Sequence, residues 1–276
     1  MALTSIVEIY DIAKGLRREV FRHKGRIEAP NFAPDGTWLL VNSAGRLWKL
    51  PLDAPQLIAI DTGPAIGCNN DHGFTKDGRI LFGSHYEGKG AQIYALPLAG
   101  GAIEKISSAA PSWWHGLSPD GAVMTYPAVR GDNAHVQIFK RNLSGGAEIQ
   151  LTDFAAHSDG PEFSADGRFI YWNCDAKGHA QIWIMQENGA APRILFEDER
   201  VNWFPHPSPC GQWLLYLSYP PQTQGHPADL TVKLMLCRPD GSARQPLADF
   251  IGGQGSLNVP PWHPSGESFA FIRYEI

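Results

Sequence analysis

Short apolar runs, each set just after a tight turn, give this chain its pattern. Trp38-Leu39-Leu40-Val41 follows Ala33-Pro34-Asp35-Gly36, and Phe169-Ile170-Tyr171-Trp172 follows Ser164-Ala165-Asp166-Gly167. The same signature recurs as Thr75-Lys76-Asp77-Gly78, Ser118-Pro119-Asp120-Gly121, Ser208-Pro209-Cys210-Gly211 and His263-Pro264-Ser265-Gly266. The corner glycines stand at 36, 78, 121, 167, 211 and 266, so successive differences are 42, 43, 46, 44 and 55. A four-stranded propeller blade repeats every ~40 to 50 residues. Proline then aspartate favours a type I turn, and the glycine that follows takes the left-handed conformation closing a bulged hairpin. Each signature is therefore a corner between an inner strand a and a strand b.

Strand c repeats as well, in Leu47-Trp48-Lys49-Leu50, Ile93-Tyr94-Ala95-Leu96, Ile138-Phe139-Lys140-Arg141, Ile182-Trp183-Ile184-Met185 and Leu234-Met235-Leu236-Cys237. Turn residues follow (Gly100-Gly101, Gly145-Gly146, Asn188-Gly189, Asp240-Gly241), and then a short strand d such as Glu148 to Thr152. The sixth corner leaves room for strands a and b only, Val259 to Trp262 and Ser268 to Tyr274. The missing pair is at the other end of the chain. Ile9-Tyr10-Asp11-Ile12 matches strand c, Lys14-Gly15 its turn, and Leu16 to Phe21 strand d. The pattern predicts an all-β, six-bladed β-propeller of four-stranded antiparallel blades. It forms one domain over residues 1–276, with the last blade (5–22 plus 257–276) closed by the N-terminal strands, which leaves only short, protected sheet edges.

Composition narrows the class. With 43% hydrophobic residues, 11% aromatics and 29 glycines in 276 residues, the chain can fill a core between blades and supply many turns. A net charge of -5, with no basic run longer than Arg17-Arg18, argues against nucleic acid. The N-terminal segment lacks a basic region followed by an apolar stretch, and no run approaches the ~20 apolar residues of a membrane span. A cytoplasmic location is expected. Cys68, Cys174, Cys210 and Cys237 are scattered without a C-x-x-C pair, which fits reduced thiols better than a disulfide framework or a zinc site.

The Pro-Asp-Gly corners, the Ile-Tyr and Ile-Trp strand c motifs and the Gly-Gly turns resemble the WD40-like repeats, of the bacterial PD40 type, in the C-terminal β-propeller of the TolB family. The resemblance covers residues 5–276. None of the nine tryptophans precedes an aspartate, so the eukaryotic WD signature is absent. The resemblance implies a propeller scaffold that binds a partner at one mouth of its channel. The periplasmic members carry an N-terminal α/β domain ahead of the propeller; with the repeats spanning residues 5–276, no such domain is expected here. No local motif here matches the positions that contact the Pal lipoprotein, so binding of a Pal-type lipoprotein is not expected.

The b to c and d to a connections vary from blade to blade and are rich in His, Trp, Asn and Asp, so that face is expected to be functional. Six positions before each corner glycine stand Pro30, His72, His115, Pro161, Pro205 and Pro260. Around this register the expected ligand-binding ring comprises Glu28, Asn70, Asp71, His72, Trp114, His115, Asp159, Trp203 and His206. Hydrogen-bonding groups and aromatic faces in a ring suit a small polar ligand, including a carbohydrate, or a protein partner. The competing reading is a crowded channel whose polar groups satisfy one another, with at least one ring of Trp113-Trp114 given to blade packing.

The leading expectation is a non-catalytic binding scaffold without a cofactor. The alternative is a metal-dependent lyase or hydrolase acting on an acidic oligosaccharide. Propellers of similar repeat type include the oligogalacturonate lyases, which use a metal held by histidines and a glutamine. That alternative draws on His72, His115, His157 and His206, with His72 and His115 as first-choice ligands and Arg130 as carboxylate partner. Two loops are further contact regions: the insertion Pro220 to Asp229, which contains His226 and explains most of the 55-residue interval, and His85 to Gly90. No G-x-S-x-G elbow is present, and Gly252 to Ser256 lacks the strand and helix of a phosphate loop.

Overall fold

Five four-stranded antiparallel sheets follow one another along the chain, each wound in the order a, b, c, d. The computed structural model describes residues 3–132 and 135–276; positions 1, 2, 133 and 134 of the expected 1–276 span lie outside the described residues. Blade one comprises Glu28–Phe32, Trp38–Ser43, Arg46–Pro51 and Ile58–Ala59. Blade two begins at Cys68–Phe74, blade three at Gly116–Leu117, blade four at Ser158–Phe163 and blade five at Val201–Pro207. Blade six joins the two ends of the chain, with Thr4–Asp11 between Leu16–Lys24 and Ser268–Glu275. The architecture is the six-bladed propeller expected from the repeats.

All six corners close in the same way. Each corner glycine donates its amide to the carbonyl three residues earlier, at 2.7 to 3.3 Å. Each also takes a φ between 69° and 82°, which an L residue with a Cβ adopts only under strain.

The apolar runs are continuous because every b strand is sandwiched between neighbouring blades. All six residues of Trp38–Ser43 and all six of Leu214–Tyr219 are buried, as in sheets covered on both faces. The core thus lies between blades. Leu215, Leu217 and Val232 of blade five pack on Trp262, Phe269 and Phe271 of blade six. Val7, Ala270 and Ile272 of blade six pack on Leu39 and Val41 of blade one. Burying one such Val, Leu, Ile or Phe contributes about 1.5 to 3 kcal/mol.

The closing seam is held by specific pairs. Tyr10 stacks on Phe269 at 5.3 Å, Arg273 Nε donates to Glu8 Oε1 at 2.8 Å, and the Ile12 amide donates to the Glu267 carbonyl at 3.0 Å. The expected inner strand of this blade, Val259 to Trp262, is reduced to one bridge between Trp262 and Phe269. Pro260 and Pro261 have no N–H to give a ladder.

The inner strands of blades one, two, four and five carry bulges, between Glu28 and Asn31, Cys68 and His72, Asp159 and Glu162, and Trp203 and His206. In three of them a left-handed residue precedes the register proline: Ala29 (φ 56°) before Pro30, Gly160 (φ 61°) before Pro161, Phe204 (φ 59°) before Pro205. A bulge places an extra residue in one strand and re-aims the side chains around it. In this fold that decides which polar groups reach the channel mouth.

No helix among the described residues is long and apolar enough to cross a membrane. The four cysteines are unpaired, with Cys210 exposed and the other three buried.

Candidate functional site

A cavity of about 330 Å3 opens at the channel mouth, on the face of the b to c and d to a connections. Four of the chain's 10 histidines line it, His85, His115, His157 and His226, together with Asn69, Asn70, Asp71, Trp113, Asp159 and Gln254. A larger groove of about 560 Å3 lies on the corner face between blades four and five. Its nearest opposite charges, Asp166 and Arg168, already pair with each other at 2.6 Å. The mouth cavity brings four histidines and two aspartates together.

Asp159 is the hub. The bulge that begins after it lets its Oδ1 accept from the Gly160 amide at 2.7 Å. Around the carboxylate stand three imidazoles: His115 Nε2 lies 3.4 Å from Oδ1, while His157 Nε2 and His226 Nε2 lie 3.3 and 3.8 Å from Oδ2. Burial alone would raise the Asp159 pKa. The hydrogen bond with His157 and the charges of His115, His157 and His226 instead hold it well below the usual carboxylate range.

Asp71, across the cavity, behaves in the opposite way. It accepts from Asn258 Nδ2 at 2.8 Å and from Asn69 Nδ2 at 2.5 Å, and its Oδ1 lies 3.9 Å from His115 Nε2. Burial pushes its pKa up to about 7, with the Asp159 charge adding to the shift. His115 lies between the two carboxylates, and burial drops its pKa to about 4, so it is a neutral imidazole at pH 7. Two carboxyl groups with pKa values driven apart around a neutral histidine can hold and pass a proton.

His226 comes from the insertion of blade five, which folds inward over the mouth. Its ring meets Trp203 edge to face at 4.5 Å and Phe204 at 5.4 Å. His157 also sits on Trp203, at 5.8 Å, and its own amide donates to Asp175 Oδ1 at 2.8 Å. Burial acts against protonation of His157, but the hydrogen bond to Asp159 outweighs it and its pKa is raised; His226, with burial dominant, is lowered.

Of the expected ring, Asn70, Asp71, His115 and Asp159 line this cavity, and Trp203 supports it from behind. The other four positions lie elsewhere. His72 is fully buried, neither ring nitrogen bonds a protein group among the described residues, and burial lowers its pKa to about 3. Trp114 is packed in the core with Leu81, Met124 and Tyr126, its ring against Gly73. His206 is buried, with Nδ1 2.5 Å from Glu162 Oε1 and Nε2 2.9 Å from the Leu257 carbonyl. Glu28 lies against Gly255 and near the Tyr274 hydroxyl, and burial raises its pKa.

Arg130, named as a carboxylate partner, spends its guanidinium on Glu148 at 2.7 and 3.0 Å and on Ser112 Oγ at 2.7 Å. The lining residues outside the expected ring are Asn69, His85, Trp113, Val136, His157, His226 and Gln254. For His226 the signal in the sequence was the length of its insertion.

No family model matches the chain. An uncharacterized protein of Agrobacterium fabrum is 38% identical over 275 residues, covering 99% of this chain and 93% of that protein. A solved Agrobacterium tumefaciens structure, provisionally described as TolB, superposes with a TM-score of 0.96 at 38% identity over 100% of both chains. TolB from Acinetobacter baumannii shares the fold with a TM-score of 0.67 at 18% identity, over 91% of this chain and 64% of that one. An oligogalacturonate lyase in complex with manganese shares it at 0.56 and 12%, over 89% and 67%. Repeats, closure and these likenesses agree: the chain belongs to the TolB-like six-bladed β-propellers, in the same family as the Agrobacterium protein.

Proposed function

We propose that this TolB-like propeller is a binding scaffold that takes a small polar ligand, of the saccharide or carboxylate class, at the channel mouth without transforming it. The observation that carries the reading is the convergence of Asn70, Asp71, His115, His157, Asp159 and His226, from blades two, three, four and five, on one cavity of about 330 Å3. That volume is at the small end of the ~300 to 1,000 Å3 typical of ligand sites, where a few placed polar groups set orientation. Trp113 adds an aromatic wall on which a sugar ring can stack. The unpaired cysteines suit a reducing compartment and support a cytoplasmic site of action.

The test is a thermal-shift and calorimetric screen of neutral sugars, uronic acids and small carboxylates against the whole chain. A hit should lose most of its affinity in Asp71→Asn and in Asn70→Ala. Binding that survives both changes would move the site elsewhere.

One observation favours a second reading, cleavage of an acidic oligosaccharide: Asp71 lines the cavity 3.9 Å from His115 Nε2, and burial, which raises its pKa to about 7, suits it to act as a general acid. Appearance of cleavage products from oligogalacturonides, abolished in Asp71→Asn, would establish it. Unchanged oligosaccharides at high enzyme concentration would leave the scaffold reading in place.

A further inference from the structure

Two imidazoles and one carboxylate face one another across a gap at the channel mouth. His157 Nε2 is 3.3 Å and His226 Nε2 3.8 Å from Asp159 Oδ2, and each of the three residues offers one ligand atom within 4.8 Å of the others'. The first distance is a long hydrogen bond and the second is beyond hydrogen-bond range. Metal–ligand bonds of about 2.0 to 2.2 Å place neighbouring tetrahedral ligands about 3.3 to 3.6 Å apart. The His157–Asp159 spacing falls in that range and the His226–Asp159 spacing just beyond it, so a small side-chain adjustment would bring the three groups onto one ion.

We infer that His157, Asp159 and His226 form a site for a single divalent transition-metal ion, with its remaining positions open to the cavity. The inference deepens the binding reading above and rests on it, since the open positions would receive an oxygen donor of the polar ligand.

Three features support the assignment. The ligand atoms are reachable, because the side chains of His157, His226 and Asp159 are 37%, 23% and 14% exposed. The rings are held by aromatic contacts, His226 against Trp203 and Phe204 and His157 against Trp203. The carboxylate is oriented through its other oxygen by the Gly160 amide, the kind of outer support that fixes metal ligands. The donor set also selects the ion. Imidazole pairs suit zinc, iron, nickel or copper, and two imidazoles with one carboxylate leave coordination sites vacant for a substrate oxygen. Calcium would need six to eight oxygen ligands, and the three groups supply one carboxylate.

The test uses the full chain, stripped with a chelator and titrated with Co2+ as a spectroscopic probe, followed by its visible d–d bands and by calorimetry. One equivalent of Co2+ should bind and be displaced by Zn2+. His226→Ala and Asp159→Asn should each weaken binding by more than the roughly 10- to 100-fold that loss of an outer-shell partner costs, with unchanged circular dichroism. His85→Ala, which lines the cavity outside the three ligands, should stay within a few-fold of the wild type. Absence of stoichiometric Co2+ binding would overturn the site, as would binding that His226→Ala leaves intact. His226 lies on a loop, so that variant keeps the test sound even if Asp159→Asn misfolds. Repeating the ligand screen in chelator separates the two claims. A polar ligand that binds without metal keeps the mouth as a ligand site and, with no Co2+ uptake, removes the metal. Co2+ uptake with no ligand response supports the metal and removes the ligand reading.

Discussion

The guanidinium of Arg26 reaches across the ring to Asp229, its Nη2 lying 2.9 Å from one carboxylate oxygen and 2.7 Å from the other. Arg26 also lies 4.6 Å over the ring of Tyr274. The pair pins the far end of the blade-five insertion to the entrance of blade one, and His226, three residues earlier, is thereby kept over the mouth. Asp229→Ala should release the loop. Both side chains are about a third exposed, so global stability should fall by no more than about 1 kcal/mol. Hydrogen exchange of residues 222–229 should speed up markedly, and unchanged exchange there would show that the pair does not hold the insertion.

Asp71 sets a pH dependence whose sign follows from its pKa. With a folded value near 7 against an ordinary 3.8, the folded chain binds this proton more tightly than the unfolded chain does. The contribution is fully favourable below the unfolded value and is lost as pH rises through about 4 to 7. Asp71→Asn removes that loss. The stability difference, wild type minus variant, should therefore shrink or reverse between pH 5 and pH 8. Parallel denaturation curves at the two pH values measure it, and a constant difference would refute the assignment.

Trp114 is a packing residue, and Gly73 shows why. A Cβ at Gly73 would stand 2.1 Å from the Trp114 ring. Gly73→Ala should cost about 1 to 3 kcal/mol by overpacking, and Trp114→Ala about 3 to 5 kcal/mol by leaving a cavity. Urea unfolding resolves both. A Trp114→Ala protein of unaltered stability but impaired ligand binding would return this residue to the site.

Deleting residues 1–22 removes the strand Thr4–Asp11 and most of Leu16–Lys24. It uncovers Ala270 and Ile272 together with the edge of Ser268–Glu275. The truncated chain should aggregate or unfold without cooperativity, since an open apolar edge invites pairing. A monomeric protein with an unchanged melting transition on size exclusion and calorimetry would contradict the seam described above.

The ring was legible from sequence because its determinants are local. Pro34-Asp35-Gly36 and its counterparts carry the turn geometry within four residues, and Ile9 to Ile12 repeats a strand seen five more times. Asp71, His115 and Asp159 stand at the same end of their inner strands in the sequence, and all three line the one cavity. Register alone misplaced His72 and His206, since bulges beside them change which face of the strand a side chain occupies. His226 depends on Trp203, Phe204 and the Arg26–Asp229 pair, contacts between residues up to 203 positions apart. No local pattern announces such docking. Proline chemistry explains the remaining difference, the inner strand of blade six lost at Pro260 and Pro261.

The antiparallel sense of the closing seam also has a mechanical meaning. Glu8 meets Arg273, Tyr10 meets Phe269 and Ile12 meets Glu267, so the strand beginning at Thr4 and the one ending at Glu275 finish side by side. Tension applied between those two ends loads the backbone bonds one after another, as a zipper is opened, rather than all at once in shear. The ring is therefore weakest against a pull on its own termini, and under force blade six should peel before any other blade yields.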